Sequence, residues 1–139
     1  MKTISQTCDI ELIRGILSRD NIYSTLVYDG SPSLNQYVPT GIWFLLLEGE
    51  AIAGMINIVP LNNILYQPHI FIFEQYRGGN SHRWAQIVMS QFPQFKFMAI
   101  TPYESARNYA KRAGFKEIGI IKNSILKNGK LLDQYILES

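Results

Sequence analysis

Between Tyr76 and His82 the chain reads Tyr-Arg-Gly-Gly-Asn-Ser-His, placed after the apolar run His69-Ile70-Phe71-Ile72-Phe73 and before the periodic run Ser81–Phe92. Glycines at a strand-to-helix junction leave backbone N–H groups unpaired at the positive end of a helix, which is an arrangement suited to an anion. Arg77 adds a charge that can bond an anionic oxygen directly. Two other residues could move protons. His69 titrates near neutrality in its ordinary state and could take a proton from an amine, or could be a half-buried strand histidine that only hydrogen-bonds. Tyr109 could act as an acid, or could pack, because Ala106, Tyr109 and Ala113 share one helical stripe. Glu74, at the mouth of the same strand, could orient an amine or be a solvated loop charge.

The elements that must position these residues follow from apolar periodicity. Ile10, Ile13, Ile16 and Leu17, then Ile22, Leu26 and Val27, suit two short helices that open at the N-cap Asp9 and cover a sheet. The sheet begins with two apolar runs flanking Glu48-Gly49-Glu50, a hairpin signal. Ile64–Phe73 forms a third strand in which Pro68 marks an edge, a bulge or a split in pairing, since proline cannot donate to a ladder. After the glycines, Trp84, Ile87, Val88 and Phe92 repeat with helical spacing, and Phe95–Ile100 reads as a strand. Thr101-Pro102-Tyr103-Glu104 predicts a helix start with Thr101 as cap, and Gly114 a helix stop. Two strands joined by Asn128-Gly129 close the chain. Trp43 and Trp84 belong to the core.

Composition excludes several classes. With 139 residues, 47% hydrophobic and 17% charged, the chain fits one globular domain with a core, covering residues 1–139. No window approaches the roughly 18–20 apolar residues of a membrane span, and the opening residues lack a signal-peptide core, so a cytoplasmic location is expected. The single cysteine, Cys8, has no partner for a disulfide and no companion at metal-ligand spacing. No metal site is expected. A net charge of +2 and the lack of an aromatic-basic pattern give no indication of nucleic-acid binding. Neither a nucleophile elbow nor a G-x-x-x-x-G-K-[ST] loop is present.

Three stretches together resemble the GNAT superfamily of acyl-CoA-dependent N-acyltransferases: Ile72–Gly78 with its Tyr-Arg-Gly, the helix carrying Ala106 and Lys111 and ending Gly114-Phe115, and the closing run Asn128–Glu138. The resemblance implies an α/β fold, a single domain with a central, largely antiparallel twisted sheet of about six strands flanked by helices. It also implies acetyl-CoA as cosubstrate. Main-chain groups of Ile72 and Phe73 would meet the pantetheine arm, and the loop Arg77, Gly78, Gly79, Asn80, Ser81 and His82 would receive the pyrophosphate. The acetyl group would pass directly to a primary amine, with Cys8 dispensable.

The chain departs from the family pattern at named positions. Asn80 and His82 stand where small residues are usual, with Asn80 able to take a left-handed conformation and the His82 ring able to fill cofactor space or to touch a phosphate. Ala110 stands five residues before Phe115, where many members carry a catalytic tyrosine, and Tyr109 precedes it by one residue, a rotation of about 100° around the helix. Tyr103 lies near the place of the family's asparagine. Within the superfamily the chain looks most like short GNAT-type proteins of tailed phages. Two functions follow from the resemblance: an N-acetyltransferase, or a non-catalytic GNAT-fold component, virion-associated or bound to other phage or host proteins.

Overall fold

The computed structural model describes residues 1–34 and 36–139, with Asp20 described through its backbone alone. In chain order the elements are β1 (Lys2–Thr7), α1 (Ile10–Leu17), α2 (Asp20–Leu26), β2 (Ile42–Glu48), β3 (Ala51–Pro60), β4 (Leu65–Ile72), α3 (His82–Ser90), β5 (Lys96–Thr101), α4 (Glu104–Arg112), β6 (Lys116–Lys127) and β7 (Lys130–Glu138). They build one mixed sheet in the order β1-β2-β3-β4-β5-β7-β6, antiparallel throughout except for the β4–β5 contact. The strand count is seven, one more than the sequence predicts. The additional strand, β1, is a half-polar edge strand whose single large apolar side chain, Ile4, joins the core.

Helices cover both faces because the strands alternate apolar side chains to both sides. One core lies under α3 and α4 and includes Leu46, Ile56, Trp84, Val88, Phe97 and Leu137. The other lies under α1 and α2 and includes Ile13, Leu17, Ile22, Trp43, Met55 and Phe71. Both tryptophans are buried, as expected. Asp9 caps α1 by accepting the N–H of Leu12 at 3.1 Å, but Ile10, expected on the buried stripe, is exposed. Asn128 and Gly129, with φ of 52° and 73°, form the predicted β6–β7 turn.

The start of α4 differs from the sequence expectation. Thr101 remains in β5, paired with Tyr135, and its hydroxyl accepts the Tyr103 N–H at 3.1 Å. The helix begins two residues after Pro102 with no side-chain cap. It ends as predicted at Gly114, where Phe115 and Gly114 donate back to the carbonyls of Ala110 and Lys111. Ala106, expected in the core, is exposed on the side of α4 that faces the groove described below.

Candidate active site

The sheet splits between β4 and β5, and Pro68 explains where. The Phe73 N–H crosses to Ala53 on β3 at 2.8 Å, whereas the Ile64 carbonyl accepts from Lys96 at the start of β5 at 2.9 Å. Odd-numbered peptide groups of β4 therefore face β3 and even-numbered ones face β5. Pairing with β5 extends only over Leu65 and Tyr66. The next N–H due to face β5 belongs to residue 68, which is proline and has none. Of the three possibilities Pro68 raised, a split in pairing is the one observed. Past it, the N–H and C=O of Ile70 and the N–H of Ile72 point into the gap.

A groove of about 570 Å³ runs through this gap. Its walls come from Ile70 and Ile72 of β4, Phe97 and Ala99 of β5, Ala85 of α3 and Ala106 of α4, and it continues past the sheet to the C-terminal end of α2 and the β6–β7 hairpin. At the α3 end it meets the glycine loop. Gly78 and Gly79 have φ of 84° and 54°, consecutive left-handed conformations that favour glycine. The N–H of Ser81 is used by Gly78, that of Arg83 by Asn80 and that of Trp84 by Ser81. Those of Gly78, Gly79, Asn80 and His82 find no acceptor among the described residues. Four outward amides at the start of a nine-residue helix, with Arg77 and Arg112 lining the groove nearby, fit a polyanionic group such as a pyrophosphate.

The individual residues stand as follows. Asn80 is not left-handed; the two glycines carry that geometry ahead of it. The His82 ring does not line the groove, and its Nδ1 is buried without a partner among the described residues. Ser81 is buried and lines the groove. Arg77 donates from Nε to the Ile72 carbonyl at 2.8 Å and from Nη2 to the Asn21 carbonyl at 3.2 Å. It thereby ties the glycine loop to β4 and α2. Ile72 keeps an available N–H, but Phe73 has both peptide groups engaged, with Ala53 and with Tyr76. Phe73 therefore presents no open main-chain group, and its ring is buried beneath the Arg19 guanidinium. Ile70, whose peptide groups face the gap, is the residue that sequence reading missed; the parity set by Pro68 was the available signal.

Tyr109 lies on the groove wall and donates its hydroxyl to the Ser81 carbonyl at 2.8 Å. Burial pushes its pKa well above the ordinary tyrosine value, with the neighbouring Ala85 amide and the Arg112 charge pulling it partly back. His69 pairs with Asn57 through the β3–β4 ladder and lines the groove on the α1/α2 face, its ring making no hydrogen bond to any described residue. Burial lowers its pKa. The neutral imidazole is thus favoured in the fold, while the unfolded chain takes up the proton more readily. Stability should fall as pH drops below the ordinary value of 6.5 and towards the lowered folded pKa. Melting temperatures measured from pH 8 to 5 should show this loss in the parent and a flatter profile in His69→Gln; identical profiles would contradict it. Glu74 is exposed and does not line the groove, Cys8 is exposed, and no group of metal-binding side chains occurs among the described residues.

The split sheet, the glycine loop and the helices on both faces make up a single-domain α/β GNAT fold, which the chain shares with several solved proteins. The sequence matches no protein-family model and no curated protein. In three dimensions the chain is similar to spermidine N-acetyltransferase from Vibrio cholerae, solved in complex with CoA and spermine, with a TM-score of 0.79 at 15% identity over 99% of this chain and 94% of that one. It is also similar to ribosomal-protein-alanine N-acetyltransferase from Brucella melitensis, TM-score 0.73 at 16% identity over 99% and 98% of the two chains. A third similar structure is a GNAT-superfamily phosphinothricin acetyltransferase from Sinorhizobium meliloti in complex with acetyl-CoA, TM-score 0.71 at 17% identity over 99% and 87%. No helix among the described residues is long and apolar enough to cross a membrane.

Proposed function

We propose that the chain is an N-acetyltransferase that moves an acetyl group from acetyl-CoA to a primary amine. The observation that carries this reading is the open peptide edge of Ile70 and Ile72, continuous with four unused amides from Gly78 to His82. An arm that carries amides can add to the first and a pyrophosphate to the second. The similar folds solved with CoA and with acetyl-CoA support the same ligand.

The transfer is direct. The amine nitrogen bonds to the acetyl carbonyl carbon, the C–S bond breaks, and the sulfur leaves with the electron pair. His69, neutral and open to the groove on the acceptor side, takes the proton that the amine loses. The thiolate takes its proton from water. Tyr109 is a positioning residue in this scheme, because its own proton is engaged with Ser81 and so holds the start of α3 against α4. Cys8 takes no part, so Cys8→Ser should retain full activity.

Mixing the protein with acetyl-CoA and a panel of amines should release free thiol with at least one of them; release with none would sink the enzyme reading. Tyr109→Phe distinguishes positioning from acid catalysis. Losing one hydrogen bond should cost about 1 kcal/mol of stability and raise the KM for acetyl-CoA by about 5-fold, with little change in kcat. A fall in kcat of about 10² to 10⁴ would instead make Tyr109 the acid. Ala110 at the usual tyrosine position favours a second reading, a non-catalytic GNAT-fold protein of a phage particle or a host complex. That reading gains if CoA neither binds nor reacts and the protein is retained by virion proteins.

A further inference from the structure

The acceptor end of the groove carries information about which amine it takes, an inference that rests on the transferase reading above. Beyond the sheet, the groove is lined by Leu26, Tyr28 and Ile125 as apolar and aromatic walls, and by Gln67, His69 and Gln134 as polar groups. Among the described side chains, which do not include that of Asp20, no aspartate or glutamate lines this end. The side chains of Gln67 and Gln134 make no hydrogen bond to any described residue, so their amides are available to a ligand.

Positive charge is already present at this end. Lys127 does not itself line the groove, but its ammonium donates to the hydroxyl of Tyr103, which does, and to the Ser24 carbonyl. The carboxylate of Asp29, next to Tyr28, is already engaged, its two oxygens accepting the N–H groups of Asn128 and Gly129 at 2.9 Å each. A second ammonium inside the groove would lose its water with no carboxylate to replace it, close to a lysine that repels it.

We infer that the acceptor is a primary amine on an apolar or aromatic body with no second positive charge, and that polyamines are disfavoured. The groove walls bury the body, the side-chain amides accept from the reacting nitrogen, and the charge count rejects a polycation. This sets the chain apart from the similarly folded Vibrio cholerae enzyme, which was solved with spermine.

The test begins with the full chain and CoA, followed by thermal shift. Calorimetric titration of the CoA-loaded protein with 2-phenylethylamine and with spermidine, at physiological salt, then compares the acceptors. The expected result is at least about 10-fold tighter binding of 2-phenylethylamine, the difference a single unpaired charge produces. Gln134→Glu should narrow or reverse that ratio by supplying the missing carboxylate. Equal or tighter binding of spermidine to the parent, binding of neither amine, or an unchanged ratio in Gln134→Glu would overturn the acceptor class while leaving the transferase reading in place. Failure of CoA to shift the melting transition would overturn the transferase reading itself.

Discussion

Acetyl-CoA at about 100 times its dissociation constant should stabilise the protein by roughly 2.7 kcal/mol, which for a domain of this size is a rise in melting temperature of about 10 °C. Gly78→Val should remove nearly all of it. A Cβ at Gly78 meets no atom within 4 Å, so the substitution creates no clash and should not unfold the protein. Its effect comes through the backbone: at a φ of 84° a β-branched residue is strained, and the loop relaxes by turning its amides away from a common centre. If affinity falls about 100-fold, the same ligand concentration yields only about 0.4 kcal/mol of stabilisation. A parent protein whose transition does not move with millimolar acetyl-CoA, or a Gly78→Val variant that responds as the parent does, would remove the loop from the proposed site.

Much of this site was legible in the sequence because its main determinants are local. Pro68 withholds an N–H from the neighbour that its peptide group faces, here β5 and not β3, and consecutive glycines before an amphipathic run announce a turn with open amides. What the sequence could not convey depends on residues far apart in the chain. Arg77 reads as a ligand for an anion, yet in the fold it spans from Ile72 to Asn21 and ties α2 to the glycine loop. The hydroxyl of Tyr109 finds Ser81, 28 residues away. His82 reads as a group that could crowd the cofactor, and the first turn of α3 carries it away from the groove. The strand β1 was missed for a different reason. One isoleucine among polar residues gives little alternation, and the strand exists because β2 offers it an edge, with Lys2 lying over the Trp84 ring at 4.5 Å.

Gly54→Ala should be among the most damaging single substitutions in the chain, and it acts on the wall of the groove. Gly54 pairs with Ile72 across β3 and β4, beside the irregularity between Leu46 and Leu47. A Cβ there would stand 2.0 Å from the Phe71 carbonyl oxygen, 2.9 Å from the Ile72 Cα and 3.0 Å from the Phe71 carbonyl carbon. All three are backbone atoms of a strand held by a seven-residue register with β3, so no rotamer change can make room. The strands must part, which costs the ladder bonds that aim Ile70 and Ile72 at the gap. A loss on the order of 4 kcal/mol is expected, a magnitude reserved for overpacking of this kind, and the melting temperature should fall by more than about 10 °C. Gly15→Ala supplies the contrast. That glycine lies inside α1 with nothing within 4 Å of an added Cβ, so the same change there should stabilise by about 0.5–1 kcal/mol through helix propensity. Denaturant unfolding of the two variants should therefore give shifts of opposite sign. A Gly54→Ala protein within about 1 kcal/mol of the parent would mean that β3 and β4 can separate at Ile72 at little cost, and the peptide edge would then not be a rigid wall on which an extended ligand could be aligned.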